Sequence, residues 1–151
     1  MNDPKGSIWR KWDLHVHTPA SLKNGYNGDW NRFIQELEEL PVDFAVIGVN
    51  DYLFLDGYKK LKTEKQTSGR LKNIHALFPV VEFRIKKFAG VEFRDTTRVN
   101  LHIIFDPDLD ASVIESQFLN TIQSAYTLAP NCSGPTWNGV VTRESLADHQ
   151  P

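Results

Sequence analysis

The histidines His15 and His17, separated by a single residue, are the strongest chemical signal in the sequence. In a β-strand, side chains at positions i and i+2 point to the same side, so these two imidazoles would lie next to each other. Imidazole is the commonest metal ligand, and two ligands on one strand reach the same ion without a loop having to be ordered first. Asp13 lies one step earlier on the same predicted face, where its carboxylate could fix the tautomer of a ligating ring. The simpler alternative is a strand whose polar residues face solvent.

Carboxylates and a third histidine are candidates for the same site. Glu82 lies within an apolar segment, where a carboxylate is costly to bury unless it is paired or bound to a metal ion. Glu92 is a near duplicate that competes for this role. Asp51 directly follows an apolar segment and is a candidate ligand or catalytic base, with a turn residue or helix cap as the alternative. His102 lies in another apolar segment and is either a further ligand or a hydrogen-bonded core residue.

Composition and charge narrow the chemistry further. A single cysteine, Cys132, in 151 residues excludes a disulfide framework and a cysteine-rich zinc site, so histidine and carboxylate would hold any metal ion. The formal net charge of −2 argues against a general polyanion-binding surface but allows a local basic rim. A basic stretch over residues 59–72 predicts such a rim, with Lys59 and Lys60 as substrate-binding residues. A solvated helix face is the alternative.

The hydropathy of the chain predicts a soluble, cytoplasmic protein. No apolar run reaches the roughly 20 residues of a membrane helix. The first residues are polar and lack the apolar core of a signal peptide.

The elements that would position these residues alternate between strand-like and helix-like patterns. Their order, β-α-β-α-β-β-β-α, predicts an α/β fold with a largely parallel sheet and one β-hairpin within residues 80–105. In the first strand, Trp12, Leu14 and Val16 should share one face, opposite the two histidines. The predicted strands are residues 8–17, 42–49, 78–85, 88–93 and 99–105, and the predicted helices are residues 30–40, 58–65, 68–77 and 110–128.

Four sequence segments together resemble the motifs of the PHP (polymerase and histidinol phosphatase) domain. Residues 13–21 (DLHVHTPAS) are similar to its first motif, a strand-end Asp-x-His-x-His-Thr followed by a short loop with a serine. Residues 49–52 (VNDY) fall where its second motif, Thr-Asp-His, is expected. Residues 79–82 (PVVE) and 100–104 (NLHII) resemble its glutamate strand and its histidine strand. The resemblance is greatest to PHP domains at the front of AAA- or SMC-like ATPases, including TrlF-like proteins and relatives implicated in bacterial anti-phage defence.

The resemblance implies a partial or distorted βα barrel whose carboxyl mouth holds divalent metal ions (Mn, Zn, Fe or Mg) and hydrolyses phosphoesters. It implies nucleic acid or a nucleotide as substrate, an ATPase domain or subunit as partner, and no membrane. Matched residue by residue, the metal ligands would be His15, His17, Glu82 and His102. Asp51 and Glu82 would be catalytic, with Asp13 supporting the ligands.

Two departures from the PHP pattern leave alternatives open. Tyr52 stands where the second motif has histidine, and the later motifs have no counterpart after residue 110. A closed α/β barrel also needs about 200 residues or more. We therefore expect residues 1–130 to be the N-terminal part of a longer PHP-like barrel and residues 131–151 a linker or the start of the remainder. A degenerate module that regulates or binds a partner, and an amidohydrolase-type barrel, are the alternatives.

Overall fold

The computed structural model describes residues 9–89 and 97–122, which form an α/β fold around one mixed sheet. Its strands are β1 (Lys11–Val16), β2 (Phe44–Asn50), β3 (Ala76–Ala89) and β4 (Thr97–Ile104), in that order across the sheet. β1, β2 and β3 run parallel, and β4 pairs with β3 in antiparallel orientation, which confirms the predicted sheet. The sheet curls into half of a barrel.

Helix α1 (Trp30–Glu38) connects β1 to β2 and matches the helix predicted over residues 30–40. The side chain of Asp29 accepts a hydrogen bond from the backbone N–H of Arg32 at 3.0 Å, which satisfies one of the free donors of the first turn. Its buried residues share one face of the helix and are Phe33, Ile34 and Leu37. A good cap and an apolar stripe therefore explain α1 locally.

Helix α2 (Asp56–Thr67) connects β2 to β3 and contains the first of the two basic helices that the sequence predicts. The prediction of a second basic helix over residues 68–77 is wrong, because the chain turns there and β3 begins at Ala76. Gly69 (φ +64°) and Leu71 (φ +57°) have left-handed backbone conformations, which a right-handed helix cannot continue through. Leu71 and Ile74 are fully buried, and their spacing imitates a helical stripe although they anchor a turn.

Strand β3 is continuous over 14 residues, whereas the sequence predicts two shorter strands with a turn at residues 86–87. Its pairing with β4 shifts register between Arg84 and Phe88, so the two lysines lie inside an irregular stretch of strand rather than a turn. Residues 90–93 of the second predicted strand lie outside the described residues.

The side chains of β1 do not follow the predicted alternation. Trp12 pairs with Val46, and its ring stacks on Phe78 at a centroid distance of 6.2 Å. Val16 instead pairs with Val49 and packs against the main core. The prediction that Trp12 and Val16 share one face is therefore wrong. A register shift lies between them, and such an irregularity reverses the alternation beyond it.

The two faces of the sheet have different surroundings. One face, called the helical face, packs against α1 and α2 to form the main core, and its residues include Ile47, Val49, Leu77 and Val81. The opposite face, called the open face, includes Val46, Phe78, Val80, Glu82, His102 and Ile104. Trp12 covers part of the open face and remains 60% exposed. On the open face Val46 and Val80 are buried, whereas Trp12 and Ile104 are exposed to solvent.

The last described helical segment, α3, runs over Ala111–Val113 and continues through a π turn, Ile114–Phe118, and a 3₁₀ turn, Leu119–Thr121. Asp110 caps it by accepting from the backbone N–H of Ser112 at 2.8 Å, as predicted. The segment ends before the predicted residue 128, since Ile122 is extended; residues 123–151 lie outside the described residues. None of the helices within the two described ranges combines the length and hydropathy of a membrane span.

Candidate metal centre

Side chains from all four strands converge near the carboxyl ends of the three parallel strands. β1 carries His15 and leads into His17, β2 ends at Asn50, and β3 carries Glu82 just beyond its pairing with β2. His102 joins them from β4, where it is the cross-strand partner of Glu82. Because the carboxyl ends of parallel strands meet at one edge of a sheet, segments that are distant in sequence share this site.

The structure brings the four predicted metal ligands together. His15 Nε2 lies 3.2 Å from His17 Nε2 and 3.5 Å from Glu82 Oε2. His102 Nε2 lies 3.3 Å from the same carboxylate oxygen, and its ring centroid is 4.6 Å from that of His15. The ligand atoms of His15, His17 and Glu82 all lie within 4.8 Å of one another, so this group can hold a metal ion.

Two amide side chains hold the carboxylate of Glu82. Asn50 Nδ2 donates to Oε2 at 2.7 Å, and Asn100 Nδ2 donates to Oε1 at 2.6 Å. The Glu82 side chain is only 7% exposed, and burying a carboxylate would be costly without such donors. Because each carboxylate oxygen can accept two hydrogen bonds, Oε2 has capacity beyond the bond from Asn50 and lies close to the imidazoles of His15 and His102. Neither asparagine is among the residues that the sequence predicts for the site.

The His17 ring is fixed from two sides and is kept neutral. Ser21 Oγ lies 3.1 Å from His17 Nδ1, which leaves Nε2 beside His15. The Tyr52 ring packs on the imidazole at a centroid distance of 5.1 Å. Burial, and then the nearby charge of His15, lowers the pKa of His17. A lowered pKa favours the neutral imidazole, which is the form that binds a metal ion.

Tyr52 stands where the PHP resemblance leads us to expect a histidine. Its backbone is left-handed, with φ +62°, and Asn50 Oδ1 accepts its N–H at 3.3 Å. The Tyr52 carbonyl accepts the N–H of Glu82 at 2.9 Å, so this turn is tied to β3. Burial, and then the negative charge of Glu82, raises the pKa of the Tyr52 phenol. The side chain is therefore a protonated phenol at neutral pH.

The two aspartates predicted to take part in the site contact backbone or loop groups. Asp51 is 1% exposed, and its two oxygens accept from the Thr18 N–H at 2.8 Å and the Thr18 Oγ1 at 2.6 Å. This geometry favours a structural link between the loops after β1 and β2, and the catalytic role of Asp51 stays a prediction. Asp13 Oδ1 accepts from the backbone N–H of His15 at 3.1 Å, so it contacts the backbone and not the ring.

The two lysines predicted to bind substrate have other partners. Lys59 Nζ forms an ion pair with Glu115 at 2.6 Å. Lys60 Nζ lies 3.8 Å from a carboxylate oxygen of Glu64 and 5.2 Å from the centroid of the Trp30 ring. Within the described residues, no hydrogen bond or ion pair joins either lysine to the histidine and glutamate cluster. These contacts do not place either lysine at the cluster, and their role in substrate binding stays a prediction.

The chain matches no protein-family model, no curated protein and no solved structure. The interpretation of the cluster therefore depends on its own residues and geometry. Glu92, which competes with Glu82 in the sequence, lies outside the described residues. Among the residues that the structure describes, Glu82 is the carboxylate grouped with the histidines.

Proposed function

We propose that this chain is a metal-dependent phosphoesterase domain of the PHP type, acting on phosphoester bonds in nucleic acid or nucleotides. The observation that carries the proposal is that His15 and His102 lie within 3.5 Å of Glu82 Oε2, with His17 Nε2 3.2 Å from His15 Nε2. These ligands come from three separate PHP-like motifs, and their meeting at one place supports the family part of the proposal.

The donor set fits a divalent ion. Imidazole nitrogens and a carboxylate oxygen are ligands for Zn²⁺, Mn²⁺ and Fe²⁺, and carboxylate also suits Mg²⁺. Such an ion, when bound, supplies positive charge to phosphate oxygens and makes a water molecule more acidic. Two features of the chain suit metal binding: the lowered pKa of His17 favours its neutral form, and Asn50 and Asn100 orient the Glu82 carboxylate. Tyr52 adds a protonated hydroxyl group beside His17.

The wider proposal makes this chain the front module of an ATPase-linked defence protein. It depends on the resemblance of residues 9–13, and of the helix after His102, to the PHP domains of such proteins. An ATPase domain or subunit would then be the partner. The metal centre does not need that partner for the ligands named above, because all of them belong to this chain.

A second candidate function is a PHP-like module that binds a metal ion or a partner without hydrolysis. Two observations favour it. Tyr52 is a protonated phenol in place of an expected histidine, and both oxygens of Asp51 bind Thr18. A site with fewer ligands and no free carboxylate base could keep its structure after losing its activity.

Metal binding by the purified chain is measured first. Zn²⁺ and Mn²⁺ would be titrated by calorimetry into the wild type and into a His15→Ala/His17→Ala variant. We expect the double variant to bind at least about 100-fold more weakly, because two ligands are removed. His75→Ala is the matched control, since His75 is exposed and lies outside the cluster.

Hydrolysis is then measured on phosphomonoester and nucleic-acid substrates, with and without a chelator. Activity that the chelator removes and added metal restores supports the phosphoesterase. Metal binding without any hydrolysis supports the second candidate. Failure of the wild type to bind either ion, or equal binding by the double variant, would contradict the phosphoesterase and the metal-binding form of the second candidate.

A further inference from the structure

Arg84 lies on the open face beside the candidate metal centre. It follows Glu82 by two residues on β3, so both side chains leave the same face of the sheet. Its cross-strand partner is Asn100, which donates to Glu82 Oε1. Arg84 is exposed, and its positive charge opposes the rise in the pKa of Tyr52. The guanidinium is therefore within electrostatic range of the rim of the cluster.

Arg84 differs from four basic residues of α2 and of the turn that follows it, because those four already have partners. Lys59 pairs with Glu115 and Arg70 with Glu38, while Lys62 and Lys65 donate to backbone carbonyls. Arg84 forms no hydrogen bond or ion pair with any side chain that the structure describes. The cation nearest to the cluster in sequence and in register is thus available to a ligand.

The shape of a guanidinium indicates which ligand this would be. Its planar N–H fork binds two oxygens of a phosphate at once. A phosphomonoester has three unsubstituted oxygens, so one remains for an ion held by His15, His17 and Glu82. A phosphodiester has one unsubstituted oxygen fewer, and a carboxylate has none left after the fork is filled. Simultaneous binding by arginine and ion therefore favours the monoester.

We infer that Arg84 binds the phosphate group of the substrate and that the substrate is a phosphomonoester, such as a terminal phosphate on a nucleotide or nucleic acid. The role of the ion in this inference rests on the proposed function. Anion binding by Arg84 is measurable without metal, which keeps the two claims separate.

The test is calorimetric titration of the full chain with inorganic phosphate, dimethyl phosphate and acetate, each with and without Zn²⁺. With metal, we expect phosphate to bind wild type at least about tenfold more tightly than Arg84→Gln, the loss typical of a charged bidentate contact. Arg84→Lys should fall between them, because lysine keeps the charge and loses the fork. Arg32→Gln is the matched control, since Arg32 is exposed on α1 and pairs with Glu36. Equal zinc uptake by Arg84→Gln and wild type shows that the variant is folded.

Several results would overturn the inference. Equal phosphate affinity in wild type and Arg84→Gln removes the role of Arg84. If dimethyl phosphate or acetate binds as tightly as phosphate, the substrate is not specifically a phosphomonoester. If the chain takes up no metal but binds phosphate in a way that depends on Arg84, the proposed function is wrong. The anion site at Arg84 is then still supported. Absence of both metal and phosphate binding rejects both.

Discussion

Successive side chains of the same strands point alternately to the helical face and to the open face, and the two faces carry different kinds of residue. Val81 is fully buried against the helices, whereas the next residue, Glu82, points to the opposite face and is surrounded by imidazoles and amides. The helical face is closed by α1 and α2. On the open face, Trp12 and Ile104 keep about half of their surface exposed (60% and 46%).

Adjacent residues of β3 therefore have different roles: Val81 contributes to stability, and Glu82 belongs to the candidate binding site. Apolar burial against the helices supplies the folding free energy of this layer. The open face also holds the polar side chains of Glu82, Asn100 and His102. Burying such groups costs free energy, and a bound ion would offset part of that cost. Substitutions of buried residues on the helical face should therefore reduce the free energy of unfolding, and those of the polar residues Glu82, Asn100 and His102 on the open face should reduce ligand affinity.

The largest expected effect is on the helical face. Leu61 lies on α2 and has 0% exposure. Leu61→Ala should lower the free energy of unfolding by about 2–5 kcal/mol, through lost burial and the cavity left behind. Urea denaturation measures it. Leu101→Ala, at a residue that is 46% exposed, is the control and should cost under about 1 kcal/mol. Equal losses in the two variants would show that the helices do not close a core here.

Gly57→Ala tests the link that Asp51 and Thr18 form between the loops after β1 and β2. A Cβ at Gly57 would lie 2.0 Å from Asp51 Oδ2 and 2.3 Å from Thr18 Oγ1, so the Asp51–Thr18 hydrogen bonds would have to shift. We expect a loss of about 1–3 kcal/mol in the free energy of unfolding. We also expect weaker Zn²⁺ binding, because Thr18 directly follows His17. In the control Gly25→Ala, the new Cβ has no atom within 4 Å. Unchanged stability and zinc affinity in Gly57→Ala would refute this link.

Asn100→Ala gives the smallest expected change and sharpens the comparison on the open face. It removes the donor to Glu82 Oε1 while leaving Asn50 on Oε2. Loss of a group that orients a metal ligand typically weakens metal binding by about 10- to 100-fold, and we expect the lower end because one amide remains. Zinc titration measures it, with Asn31→Ala on the exposed side of α1 as the control. Zinc affinity equal to that of wild type would mean that Asn100 does not orient Glu82.

Local features of the fold are predictable from the sequence. The cap at Asp29 and the apolar stripe of α1 are complete within a dozen residues. Alternation in β4 places His102 opposite to Ile103, and the structure pairs these with Glu82 and Val81 respectively. The proximity of His15 and His17 likewise follows from their spacing, without knowledge of any distant segment.

The features that the sequence analysis missed depend on contacts between distant segments. Asn50 and Asn100 gain their role only because β2 and β4 flank β3 at Glu82. The register shift in β1, which separates Trp12 from Val16, arises in pairing with β2 and leaves no mark in the pattern of apolar residues. An asparagine two residues before a strand histidine, on the same face, is the signal that could have indicated Asn100.

Anomalous X-ray diffraction from crystals of the full chain grown with Zn²⁺ tests the central claim most directly. The account predicts an anomalous peak at the zinc edge at about 2.0–2.2 Å from His15 Nε2, His17 Nε2 and Glu82 Oε2, the usual zinc bond lengths to nitrogen and carboxylate oxygen. The absence of a peak among these three side chains, or the appearance of zinc only at other residues, would contradict it.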